Sequence, residues 1–148
     1  MNPTETNYEK WNIVYEGKIP KEDYAAYLNN SDEYGLSVKL VGLSTTVDIF
    51  FGAGASVRML EEFMIPYRIV KSALKNRKIR GFSNVIYEII DGDFGNFVKE
   101  ALLELYEEQN HKHYIIVTMN NIVEVVTGWD PEISVHKNIH DCEASMMD

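Results

Sequence analysis

One cysteine, Cys142, is present in 148 residues, so no internal disulfide can staple this fold. With no positively charged, then apolar, opening stretch either, the chain reads as one kept in a reducing cytoplasm. Long hydrophobic runs are also missing. The longest, around Val47 and Ile115, are strand-sized and fall short of the roughly 20 residues a membrane helix needs, which excludes a helical membrane anchor. Positive charge is scarce: 14 Lys and Arg stand against 23 Asp and Glu, a net charge of −9. That balance repels nucleic acid and anionic lipid at long range, so neither is an expected partner.

What remains is a chain with the means to fold alone. Apolar residues make up 45% of it, with aromatics spread from Tyr8 to Trp129, enough for a core in one domain. Its nine tyrosines suit half-exposed sheets and interfaces, since each buries area yet keeps a polar tip. The few basic residues are unevenly placed: Arg68, Lys71, Lys75, Arg77, Lys78 and Arg80 crowd one short stretch with no acid among them. A solvated helix face explains the stretch; the other reading is an anion-binding patch carried by Arg68, Lys71, Lys75 and Arg77.

Residues 1–10 are polar and predict a flexible N-terminus, 11–137 a single domain, and 138–148 a polar tail. Alternation predicts a strand over Trp11 to Ile19. After Pro20, the spacing of Tyr24, Tyr27 and Leu28 predicts a short helix. "LSVKLVGL" and "VDIFF" predict a hairpin. From Met59 to Lys78 apolar residues recur at helical spacing, but Pro66 breaks the run, giving either a strand ending near Leu60 with a helix from Pro66, or two helical pieces. "FSNVIYEII" (82–90) is a further strand. Asp91-Gly92-Asp93 then supplies a turn and cap for a helix whose stripe is Phe94, Phe97, Val98, Ala101, Leu102 and Leu105. "HYIIVTM" and "IVEVV" form a second hairpin, and Ile133–Val135 a last strand. The expected fold is α+β: a mainly antiparallel sheet with helices on one face, built from two βαββ-like units joined by the basic helical segment.

Candidate chemistry is thin. "FFGAGASVRMLEE" (50–62) suggests a phosphate cradle, but Val57 occupies the third small-residue position of a dinucleotide fingerprint and no Gly-Lys-Ser/Thr follows. The small residues Gly52-Ala53-Gly54-Ala55 instead predict a bulge or close backbone crossing, with positive φ at Gly52 or Gly54. His111, His113, His136, His140 and Cys142 could be drawn into a zinc site, yet His111 and His113 fall near a helix C-terminus and the others near the tail. No metal or other cofactor is therefore expected. Cys142 in a mobile tail is a poor nucleophile. Asp48, Glu88 and Glu124 lie on predicted strands, where they could do acid/base work but ordinarily point out of a sheet's solvent face. Arg58 with Glu61 and Glu62 is a charged cluster that an intramolecular ion pair explains.

The segments "FGAGASVRMLEE" and "HYIIVTMNNIVEVVTGWDPEI" resemble small acidic bacterial proteins of the polymorphic-toxin immunity type. The resemblance covers about a third of the chain and implies a binding protein with no catalytic residues. An acidic, aromatic-rich surface suits capture of a basic toxin domain. The expectation is a non-enzymatic, cytoplasmic protein-binding domain with Glu100, Glu104, Glu107, Glu108 and Trp129 as partner-binding candidates. The alternative is a small enzyme or ligand-binding domain using carboxylates or histidines on the open sheet face. Unpaired edge strands leave a homodimer open.

Overall fold

A computed structural model describes residues 9–61, 69, 85–118 and 121–138. Within them the protein is α+β and mainly antiparallel sheet. The elements are β1 (Lys10–Ile13), β2 (Ala25–Ser31), β3 (Gly35–Val41), β4 (Thr45–Gly52), β5 (Ser56–Glu61), β6 (Ile86–Ile90), α1 (Asp93–Leu102), α2 (Glu104–Glu108), β7 (Lys112–Val117), β8 (Asn121–Thr127) and β9 (Glu132–Lys137). The strands form two sheets: five in the order β1-β6-β7-β8-β5 and four in the order β2-β3-β4-β9.

The two sheets share one core. Val38, Leu40, Val47, Ile49 and Phe51 of the four-stranded sheet pack with Ile86, Tyr114, Ile116, Val123 and Val125 of the five-stranded sheet. Burying each such aliphatic side chain contributes about 1.5–3 kcal/mol. A second cluster covers the other face of the five-stranded sheet, where Trp11, Tyr87, Ile89, Ile115 and Ile122 pack with Ile69. On that same face α1 lies across β7 and β8. Among the described residues the five-stranded sheet is thus covered on both sides and the four-stranded sheet on one. Burial also pushes the Tyr24 and Tyr114 hydroxyls above the ordinary phenol range, for Tyr114 with help from the neighbouring Tyr15 hydroxyl.

Several expected elements change. The strand from Trp11 stops at Ile13, because Tyr15 (φ 53°) and Gly17 (φ 77°) turn the chain and the Lys18 amide closes on the Tyr15 carbonyl. The helix expected at Tyr24, Tyr27 and Leu28 is β2, paired with β3 along its length from Ala25↔Val41 to Ser31↔Gly35. Cross-strand hydrogen bonding and the buried Ala26 outweigh a spacing that fits one helical turn. The first βαββ-like unit therefore has no helix among the described residues, and the repeat does not hold; the joining basic segment, with Arg68, Lys71, Lys75 and Arg77, lies outside those residues. Of the two readings for the run from Met59, a strand ending near Leu60 fits β5; its remainder also lies outside, apart from Ile69, which is buried and helical. The folded body starts earlier than residue 11, since Glu9 is buried and Lys10 opens β1. It reaches Asn138, whose side chain is bonded to Thr46, Gly42 and Leu43.

The glycine-rich stretch is the corner where the chain leaves one sheet for the other. β4 ends at Gly52 in the four-stranded sheet and β5 begins at Ser56 in the five-stranded one. Gly52 and Gly54 adopt φ of 84° and 75°, and the β3–β4 register slips between Leu36 and Ser37, leaving Phe51 as the extra residue. At Gly35 a Cβ would collide with the Gly52 backbone. Two backbones cross here too closely for side chains, so the glycines serve the crossing, as the sequence predicts.

Candidate functional site

The expected helix after β6 is broken in two. Leu103 takes φ 54°, ending α1 and starting α2. The predicted apolar stripe divides accordingly: Val98 is buried and Phe94 and Leu102 half-buried, whereas Ala101 is exposed, Phe97 69% exposed and Leu105 49%; Leu103, outside that stripe, is 73% exposed. Glu100, Glu104, Glu107 and Glu108 are all exposed beside them. Phe97 and Glu100 share one face of α1 by their spacing of three. Lys99 stands among these acids, 3.8 Å from Glu107. The α1–α2 arm thus exposes three large apolar side chains and four acids.

At the far end of α2 lies a cleft of about 280 Å³, lined by Ala53, Gly54, Gln109, His111, Gly128 and Trp129. Two of the three crossings between the sheets among the described residues meet there: Gly52 to Ser56 in one direction, Gly128 to Glu132 in the other. Thr127 and Trp129 stitch them together. The Thr127 hydroxyl donates to the Phe51 carbonyl and accepts from the Trp129 amide, and Trp129 Nε1 donates to the Ala53 carbonyl at 2.9 Å. The indole rests on Gly52, where a Cβ would stand 3.3 Å from the ring. Pinned in this way, Trp129 is still 62% exposed, while Trp11 belongs wholly to the core. The His111 ring stacks on Tyr106 with centroids 5.4 Å apart. Burial raises the Tyr106 pKa, with the Glu88 carboxylate a second cause.

A third grouping is barely marked in the sequence. Glu124 on β8 is fully buried, directly opposite Arg58 on β5 and diagonal to His113 on β7. Its Oε2 accepts from Arg58 Nε and Nη2, and its Oε1 accepts from His113 Nε2 at 2.8 Å. Phe94 of α1 closes over the group, its ring 5.1 Å from the Arg58 guanidinium and 5.9 Å from the His113 ring. Beside it Glu9, itself buried, accepts the Asp93 amide at 3.0 Å. That bond caps α1 from 84 residues away, where the sequence suggested the local Asp91-Gly92-Asp93 turn; a carboxylate at a helix start also meets the favourable end of the dipole. Asp91 instead holds the Asn96 side chain.

The strand carboxylates do not converge. Asp48 sits on the open face of the four-stranded sheet, 3.4 Å from His136. Glu124 lies under α1, and Glu88, half-buried on β6, pairs with Tyr114 and Asn12. His111 and His113 part company, one in the cleft and one beneath α1. Among the described residues no three His, Cys, Asp or Glu side chains are grouped to hold a metal ion; His140 and Cys142 lie outside those residues. Nor is any described helix long and apolar enough to cross a membrane.

The missed group left one legible mark. Ile122 and Val126, on the same side of β8 as Glu124, are apolar. A strand apolar on both faces signals cover on both, so its one carboxylate must be buried and paired. No family model matches the chain, and no curated protein or solved structure proves similar to it.

Proposed function

We propose that the protein is a non-enzymatic binding domain that acts in the cytoplasm and captures a basic protein partner through the α1–α2 arm and Trp129, as an immunity-type inhibitor of a basic toxin would. The observation that carries this reading is the exposure of Phe97, Leu103 and Leu105 on the same α1–α2 arm as the exposed Glu100, Glu104, Glu107 and Glu108. Apolar contact bordered by charge is the make-up of a protein interface, with the apolar part supplying affinity and the acids steering encounter. A net charge of −9 adds long-range attraction for a basic chain. The separation of Asp48, Glu88 and Glu124 gives catalysis no comparable support.

The test is co-expression with the product of a neighbouring open reading frame that encodes a larger chain with a basic C-terminal domain. The expected result is a stoichiometric complex whose association slows as salt rises. Reversing Glu100, Glu104, Glu107 and Glu108 to Lys should abolish it while leaving the fold intact. A complex indifferent to that reversal, or no complex at all, overturns the reading.

A further inference from the structure

We infer that the cleft beside Trp129 is a receptor for one arginine side chain of the partner, the guanidinium lying against the indole; this rests on the reading of the protein as a binder of basic chains. A cleft of about 280 Å³ is below the usual range for drug-sized ligands and suits a single side chain. Its walls at Ala53, Gly54 and Gly128 are small, and a Cβ at Gly54 would meet nothing within 4 Å, so the space beside the indole is open.

The indole is held for such a contact. Its Nε1 bond to the Ala53 carbonyl and its seat on Gly52 fix the ring without covering it. A fixed, exposed aromatic surface loses little freedom on binding, which is why such residues anchor interfaces. The cleft's own lining holds no acid, its one titratable side chain being His111; the pull on a cation comes from the face of the indole and from the net charge of −9. A planar guanidinium lies flat against the ring, whereas an ammonium meets it as a point charge and covers it less well.

The full chain would be titrated with three short glycine-spaced peptides carrying arginine, lysine or citrulline, the last keeping the shape without the charge. With Trp11 buried and Trp129 exposed, acrylamide quenching reads the cleft tryptophan selectively. The arginine peptide should shield it, with affinity falling in the order arginine, lysine, citrulline. By calorimetry, Trp129→Ala should weaken arginine-peptide binding roughly threefold to thirtyfold, the range of a desolvated cation–π contact. Because that change also removes the bond to Ala53, Gly54→Asn provides a second variant. Asn tolerates positive φ better than most residues, and its side chain would enter the open space. It should weaken binding by a similar factor.

Citrulline binding as tightly as arginine, or unchanged affinity in both variants, overturns the arginine receptor. Either result leaves the acidic-arm reading standing, because that reading is decided by the four-residue charge reversal. Conversely, a complex indifferent to the reversal sinks the arm while the peptide order still tests the cleft.

Discussion

The two sheets of this protein pose the same problem, a carboxylate in the middle of an apolar strand, and solve it in opposite ways. In the four-stranded sheet Asp48 lies between Val47 and Ile49, which point into the core, and its own side faces water, with Lys39 and Ser134 across from it and His136 3.4 Å away. In the five-stranded sheet Glu124 lies between Val123 and Val125, which point into the same core, but its own side is roofed by α1. There the charge must be matched, and Arg58 and His113 match it from either neighbouring strand. A strand carboxylate thus means a solvent face only where the sheet has one.

The largest effect should come from breaking that pair of cases side by side. Glu124→Ala leaves the Arg58 charge and the His113 ring without their partner beneath α1, and should destabilise by about 3–5 kcal/mol in denaturant unfolding. Asp48→Ala removes an exposed contact and should stay within about 0.5 kcal/mol. Similar losses for the two would refute the distinction between the sheets. Replacing Arg58, His113 and Glu124 together by apolar residues of like volume should recover most of the Glu124→Ala loss, because the penalty is that of an unmatched buried charge.

This comparison also explains what was legible. β3 and β4 face water on one side, and their buried and exposed positions alternate as "LSVKLV" and "TTVDIFF" do, so both strands and their hairpin could be read. β7 and β8 were legible as strands from their apolar runs. Yet a run without alternation does not say which layer covers which face, so the Arg58–Glu124–His113 group went unread. β2 failed differently: its outer edge pairs with nothing among the described residues and most of it is exposed, so little apolar pattern marks it. Tyr24, Tyr27 and Leu28 then mimic a helical turn, although Tyr24 alone is buried and precedes the strand. Of the candidate site, Trp129 and the four glutamates could be named from sequence. The break at Leu103, which exposes Phe97 and Leu105 beside them, could not, since only its positive φ marks it.

A smaller effect should appear in the roof itself. Gly95 of α1 is buried directly on His113, and a Cβ there would stand 2.9 Å from Nδ1. His113 cannot withdraw without giving up its bond to Glu124. Gly95→Ala should therefore destabilise by about 1–3 kcal/mol by overpacking, even though alanine favours the helix by up to about 1 kcal/mol. Glu100→Ala, exposed on the same helix, should be close to neutral. If Gly95→Ala raises the melting temperature, α1 is not seated on the buried group.

The smallest effect belongs to the solvent-facing sheet and is a pH effect. Glu22 accepts the Ser44 amide at 2.7 Å, tying the β3–β4 turn, and that bond is the main cause holding its carboxyl below the ordinary value of 4.5. A lowered folded value means that the tie is complete above the unfolded value and is lost as pH falls through the folded one. The Ser44 amide resonance should therefore shift on acidification with a midpoint below 4.5, and Glu22→Gln should erase that step. Because the carboxylate is exposed, overall stability near neutrality should hardly change, in contrast with Glu124. A Ser44 midpoint at or above the ordinary value would show the turn to be held by its backbone alone, with the Gly42 amide on the Thr45 carbonyl sufficient to close it.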